Sequence, residues 1–333
     1  MTAAGLALAT HGLRKSYGSR LALDGLDLRV PSGVVYGFLG PNGAGKTTTM
    51  RVLTGLIHPD GGTVELLGKP FTRRDRHRLF RVGALVESPA FYPYLSGRDN
   101  LRALAATGAT ASAGRIDEIL ETVGLRERGG DKVSRYSLGM KQRLGIAGAL
   151  ISDPDLLLLD EPANGLDPAG IVAMRDTLRH LASLGKTVFV SSHLLAEVQQ
   201  MADIVGIIAA GKLVREGPIR DLLESQGVVR VRVAPDEMAR AMTALEPLTP
   251  PDLGAPSTDA SGWISVHVAP DRSSEVNRAL AEAGVYASGL SSGSDLEALF
   301  LSLTEGAAAA DPDGTFAAVN RAVAAGPSPE DRS

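Results

Sequence analysis

The chain has 333 residues, enough for about two domains with separate cores. With 44% hydrophobic and 22% charged residues and a net charge of -4, its composition is that of a soluble globular protein and lacks the basic excess of a nucleic-acid binder. It has no cysteine, which excludes disulfides, thiolate metal sites and cysteine nucleophiles, and it has no long apolar run, so no membrane-spanning helix is expected. Residues 1–10 lack a basic n-region, so no secretory signal is expected either, and the simplest location is cytoplasmic.

Residues 6–17 and 21–30 alternate apolar with polar side chains and are broken at Gly18-Ser19, which predicts two antiparallel strands. Tyr17 sits at their turn, where an aromatic either stacks on a base or packs in the hairpin. The apolar run 34–39 then leads into Gly40-Pro41-Asn42-Gly43-Ala44-Gly45-Lys46-Thr47-Thr48, and a helical pattern follows over 46–57. Strand, Gly-rich loop and helix in this order make a P-loop: the glycines let backbone N–H groups turn around the phosphates, and the helix start adds its positive dipole end. Lys46 is placed to reach the β- and γ-phosphates, and the Thr47 hydroxyl to ligate Mg²⁺, so a nucleoside triphosphate with Mg²⁺ is the expected ligand.

Residues 63–67 and 82–86 read as further strands. The aromatic, Pro-rich stretch from Glu87 through Phe91, Tyr92 and Tyr94 to Gly97 reads as a loop, which is either a contact surface or tucked onto its own domain. Helical spacing follows over 100–107 and 113–123. Tyr136-Ser137-Leu138-Gly139-Met140 opens a helix to about residue 152, with Ser137 as N-cap and the Gly139 N–H among its free donors.

Leu156 to Leu159, apolar without alternation, read as a strand buried on both faces, and it ends in Asp160-Glu161. Carboxylates at the carboxyl end of such a strand lie where α/β sheets bind ligands. Asp160 suits Mg²⁺ and Glu161 suits orienting or deprotonating a water; the bland reading is a solvated acidic turn. A helix over 168–184, a strand over 186–191 and a helix opened by Ser192-His193 repeat the βα pattern, and His193 is either structural or faces the same phosphate. A hairpin over 204–216 and a short helix over 218–224 complete the first domain.

Composition shifts after residue 227. Strand patterns over 228–233 and 263–268, each followed by a helical stretch, make a small α/β appendage with a Pro-rich linker over 247–256. From Gly306 on, Ala, Gly, Pro and Asp without periodicity predict a disordered tail.

In series, these motifs resemble the ATP-binding subunit of an ABC transporter over residues 6–226: Tyr17 as the A-loop aromatic, Gly40 to Thr48 as Walker A, Ser137 to Gln142 as the signature, Leu156 to Glu161 as Walker B with its catalytic glutamate, Asn164-Gly165-Leu166-Asp167 as the D-loop and His193 as the switch histidine. Glu87 stands where a Q-loop glutamine is usual, and Tyr136-Ser137-Leu138-Gly139-Met140 replaces the usual signature. Both variants, with Phe91-Tyr92 and Asn100-Leu101, look like the bacitracin and daunorubicin type of ATPase that serves ABC-2 exporters, as does the segment from Ser294 to Phe300. The resemblance implies an α/β fold: a P-loop NTPase ABC domain over 1–226, with a parallel core sheet, an antiparallel β-subdomain and a helical subdomain. A small α/β domain over 227–305 and a tail over 306–333 follow.

It also implies that two such domains close head to tail around two ATP molecules, most simply as a homodimer, with Ser137 and the Gly139 N–H of one touching the γ-phosphate on the other. Glu161 and His193 are then the catalytic residues, and Thr47, Asp160 and Glu87 the expected Mg²⁺ ligands. Separate integral-membrane permease subunits, met through the loop after Glu87, are the expected partners, with the ATPase peripheral on the inner face of the membrane. The rival is a soluble ABC-type ATPase acting on ribosome or nucleic acid; such factors carry two modules, whereas one P-loop, one signature and no basic segment of that kind occur here.

Overall fold

The apolar runs of the sequence have no polar face to offer water and become the interior strands of a sheet. The computed structural model describes residues 5–292 apart from 88, 109–111, 225–226, 251–253, 259–261 and 269–271, together with 296 and 300. The chain divides into two compact units, the first running to Gly217 and the second covering Pro218–Glu305. The tail expected over 306–333, and all but Leu296 and Phe300 of the segment from Ser294 to Phe300, lie outside the described residues.

In the first unit the elements run β1 (Leu6–Tyr17), β2 (Arg20–Pro31), β3 (Val35–Leu39), α1 (Lys46–Leu53), β4 (Gly61–Leu66), β5 (Lys69–Pro70), β6 (Val82–Leu85), α2 (Gly97–Ala105), α3 (Ala113–Thr122), α4 (Leu138–Ala149), β7 (Leu156–Asp160), α5 (Pro168–Ser183), β8 (Thr187–Ser192), α6 (Leu195–Met201), β9 (Ile204–Ala209) and β10 (Lys212–Pro218). One sheet has the order β10-β9-β3-β8-β7-β6, and its neighbours from β9 to β6 are parallel. A second, antiparallel sheet has the order β2-β1-β4-β5.

Leu156, Leu157, Leu158 and Leu159 on β7 are all fully buried. At about 1.5–3 kcal/mol for each such side chain, this strand is fixed in the middle of the fold. Tyr36 and Phe189 stack across β3 and β8 with ring centroids 5.2 Å apart, which adds an aromatic contact to the same layer. Helices α2, α3 and α4 pack on one another as a helical layer, and Ser96, Ser112 and Ser137 cap their N-termini by accepting a backbone N–H.

Three elements depart from expectation for local reasons. Helix α1 stops at Leu53 rather than at residue 57, because Gly55 takes a φ of 69° beyond the Thr54 cap. Residues Arg73–Arg81 form a 3-10 segment that no apolar stripe announces; a Thr72/Asp75 capping box starts it. Helix α6 begins at Leu195, which leaves His193 ahead of the helix instead of on its first turn.

The second unit contains α7 (Ile219–Glu224), β11 (Val228–Arg232), α8 (Met238–Leu245), β12 (Ser257–Thr258), β13 (Trp263–His267), α9 (Ser273–Glu282) and β14 (Gly289–Ser292). Its sheet is antiparallel in the order β12-β13-β11-β14, so β11 to β14 with α8 and α9 form a β-α-β-β-α-β unit of ferredoxin-like topology. Val229, Val231, Ile264 and Val266 face Ala241, Leu245, Val276 and Leu280 in a separate core. Among the described residues, no helix is long and apolar enough to cross a membrane.

Candidate functional site

Strand register assembles the site. Leu39 on β3 lies opposite Ser192 on β8, and Asp160 on β7 lies opposite Ser191, so Gly40, Glu161 and His193 all leave the sheet at one carboxyl edge. The P-loop is seated there by close backbone contact. A Cβ at Gly40 would lie 2.5 Å from the Ile208 carbonyl, and Gly45 holds a φ of 113° with the Ala22 carbonyl 2.7 Å from where a Cβ would be. Gly45 is also the N-cap of α1 and supplies no side-chain cap, so the first N–H groups of the helix stay available to an anion.

Lys46 is buried, with Nζ donating to the Gly40 carbonyl at 2.7 Å and lying 3.2 Å from Glu161 Oε1. The other carboxylate oxygen of Glu161 lies 2.7 Å from His193 Nδ1. Glu161 takes a φ of 48°, and its N–H donates to Ser191 Oγ at 3.0 Å, which fixes the turn leaving β7. Burial opposes its charge, but the His193 hydrogen bond and the nearby Lys46 outweigh that cost and hold the carboxyl below the usual glutamate value. Asp160 is buried beneath and accepts from the Ser191 hydroxyl at 2.5 Å.

An open cavity of about 630 Å³ lies over this floor, within the range of small-molecule sites. Its lining brings together Tyr17, Asn42, Gly43, Gly45, Lys46, Thr47, Thr48, Glu161 and His193 from the sequence reading. Arg20 and Asn164 also line it, and Arg20 donates to the Gly43 carbonyl at 3.4 Å. Tyr17 is 46% exposed, so its ring stands open at one end of the cavity rather than packed in the hairpin.

Gly40, Pro41 and Ala44 are buried within the loop and do not line the cavity, and three further expected residues lie elsewhere. Ser137 caps α4, with Oγ accepting from the Met140 N–H at 3.2 Å, and neither Ser137 nor Gly139 lines the cavity. They pack instead beside the D-loop: a Cβ at Gly165 would lie 2.9 Å from Leu138 Cδ2. Glu87, read as a metal ligand, is likewise absent from the lining. Its carboxylate pairs with Arg51 on α1.

Sequence reasoning missed Arg20, Arg51 and Ser191, and it marked Asn100 only as part of the family resemblance, with no role. Asn100 is buried at the start of α2 and holds the aromatic loop, accepting from the Tyr92 N–H at 2.8 Å and donating to the Tyr92 carbonyl at 3.1 Å. An Asn four residues after the capping Ser96 and eight after a loop aromatic was the available signal.

A family model described as "ABC transporter" matches residues 23–164. The chain is 49% identical over 216 residues to the bacitracin transport ATP-binding protein BcrA of Bacillus licheniformis, covering 65% of this chain and 71% of that protein. It is 40% identical over 293 residues to the daunorubicin resistance ATP-binding protein DrrA3 of Streptomyces coeruleorubidus, covering 84% of this chain and 90% of that one. The chain belongs to the ABC transporter family. Its fold agrees: cbiO1 from Clostridium perfringens, part of the ABC transporter complex cbiONQ, superposes with a TM-score of 0.60 at 26% identity over 66% of this chain and 90% of that one. The departures at Glu87 and at Tyr136 to Met140 therefore pointed to the right part of the family, and this ABC chain is an ATPase.

Proposed function

We propose that this chain is the ATP-hydrolysing subunit of an exporter of antibiotic-like cargo, working beneath separate membrane permease subunits as one of an identical pair. The observation that carries the reading is the separation within one copy: Lys46, Glu161 and His193 share a cavity, whereas Ser137 and Gly139 do not reach it. Residues that the family resemblance assigns to one γ-phosphate thus meet only when a second copy brings its α4 N-terminus over the first copy's P-loop. The names of the bacitracin and daunorubicin relatives support the class of cargo. The loop of Phe91, Tyr92 and Tyr94 is the surface offered to the permease. Residues 1–226 act as the ATP-binding domain and 227–305 as an appended domain.

Within the pair, Lys46 compensates the β- and γ-phosphate charge, Tyr17 receives the adenine, and Glu161 takes the proton of the attacking water while His193 holds Glu161 in place. Thr47 and Asp160 would hold Mg²⁺, which supplies charge neutralisation of the phosphates. They fit that ion: Thr47 lines the cavity with a hydroxyl and Asp160 is a buried carboxylate at the same sheet edge, and Mg²⁺ commonly takes one or two protein oxygens and completes its shell with phosphates and water. Glu87, paired with Arg51, is better assigned to tying the loop to α1 than to the ion.

Glu161→Gln tests the reading. It should lower hydrolysis by about 10²–10⁴-fold, the usual worth of a general base, while leaving ATP bound. Because the closed pair is held by ATP, the variant should accumulate as an ATP-dependent dimer in size-exclusion chromatography with light scattering. A variant that stays monomeric with ATP bound would sink the pairing, and wild-type turnover would remove Glu161 from catalysis.

A further inference from the structure

The 3-10 segment Arg73–Arg81 is opposite in charge to the chain that carries it. Its nine residues, RRDRHRLFR, are dominated by arginine, whereas the whole chain has 34 basic and 38 acidic residues. The arginines divide into two kinds. Arg78 pairs with Asp75 at 3.4 Å and donates to the Pro70 carbonyl at 2.8 Å, and Arg81 pairs with Asp155 at 2.6 Å. Arg73, Arg74 and Arg76 are exposed and meet no carboxylate among the described residues. Arg73 donates to His58 Nε2 and Arg76 to the Gly55 carbonyl at 3.3 Å.

The positive field there is felt by His58, whose imidazole is pushed below its usual value by desolvation and then by the charges of Arg73, Arg76 and Lys15. Apolar side chains stand beside the cations. Leu56 lies in sequence between the two residues that Arg76 and Arg73 contact and is 66% exposed, and Phe80 is 57% exposed. Arg76 and Phe80 also border a groove of about 520 Å³ that includes Pro89 and Phe91. The strip therefore adjoins the loop offered to the permease, and a role for it at lipid rests on that same place beneath a membrane.

We infer that this strip docks on the anionic surface of a lipid bilayer, its three exposed guanidiniums that no described carboxylate neutralises meeting headgroup phosphates and Phe80 and Leu56 entering the interfacial layer. Clustered arginines flanked by exposed apolar side chains are the composition that binds such a surface. An acidic peptide would need a concave site whose cations are held at fixed positions by further contacts, and Arg74 has no such contact among the described residues. A net charge of -4 on the whole chain would repel an anionic leaflet, so attachment has to be local.

Co-sedimentation of the full-length protein with vesicles tests this, using phosphatidylcholine alone and phosphatidylcholine with phosphatidylglycerol in equal parts. The wild type should bind only the anionic vesicles and lose binding as salt rises, since screening shortens the reach of surface charge from about 10 Å at 0.1 M to about 3 Å at 1 M. Each basic residue near such a surface is worth roughly fivefold in partitioning, so the triple variant Arg73→Gln, Arg74→Gln, Arg76→Gln should bind about a hundredfold more weakly. Its ATP hydrolysis should be retained, which serves as the folding control. Should the triple variant lose ATPase activity, Arg74→Glu alone is the substitute and should cost about twentyfold.

Equal binding by wild type and variant overturns the inference, as does a wild type that ignores anionic vesicles. A triple variant that loses the permease in detergent while wild-type protein ignores the vesicles overturns it in favour of an acidic permease segment. The vesicles contain no permease, so a failure of the transport reading leaves vesicle binding untouched and the two can be told apart.

Discussion

The cavity over the P-loop and the groove beside Phe91 belong to the same unit and are built in opposite ways. In the cavity floor, Lys46 and Asp160 are buried and Glu161 is half-buried, and each already has polar partners within the chain. In the groove region the side chains of Tyr92 and Tyr94 project instead, 55% and 64% exposed and tilted against each other with ring centroids 5.8 Å apart, while the loop backbone is held by Asn100 and by the Ser134 N–H on the Pro93 carbonyl. Chemistry that must place a proton or a charge to a fraction of an ångström is set by strand register, whereas a surface that meets another protein is set by what a loop leaves uncovered.

The strongest way to break this contrast is Lys46→Ala. Hydrogen bonds to charged groups are worth about 1.5–3 kcal/mol each and Lys46 would make more than one, so ATP affinity should fall by about a hundredfold or more in a calorimetric titration. Equal affinity would mean that the floor does not bind phosphate.

On the groove side, Phe91→Ala with Tyr92→Ala and Tyr94→Ala should abolish transport and co-purification with the permease and leave ATP binding by the isolated subunit unchanged. Transport that survives the triple change would return the loop to simple packing on its own domain.

The finest test concerns the acid limb of turnover. A carboxyl held below its usual value stays charged as pH falls, so its contribution to stability is complete above the ordinary glutamate value, and both that contribution and its base function are lost only as pH falls through the depressed value. His193→Ala removes the largest of the contacts that lower it. The acid limb of the pH–rate profile, normalised to each protein's own maximum, should therefore move to higher pH. An unmoved limb would show that His193 does not govern the ionisation of Glu161.

Much of this contrast was legible from residues alone, and the limit has a physical cause. The P-loop, Asp160, Glu161 and the strands that carry them are local signals: an apolar run too uniform to alternate, followed by loop chemistry of a recognised kind. His193 was found for its motif, yet its position ahead of α6 was not, because the Ser192 hydroxyl takes the Leu194 N–H and Glu161, across the sheet, takes the His193 N–H and ring. Ser191 carries no motif, and only the register that sets it opposite Asp160 makes it visible. Glu87 looked like a metal ligand because a carboxylate near a phosphate attracts a cation; the cation it meets is Arg51, thirty-six residues away in sequence. Arg73–Arg81 went unread as an element because a charged run without an apolar stripe gives no period to follow.

Arg51 and Lys46 stand on the same short helix. Five residues at about 1.5 Å of rise place them about 7.5 Å apart along an axis whose hydrogen-bonded turns do not shorten. One end of α1 carries the ammonium under the loop carbonyls, and the other carries the guanidinium that grips Glu87. The helix is thus a rigid crank: a tilt or twist at the phosphate end is delivered to Glu87, at the root of the aromatic loop, in the same motion.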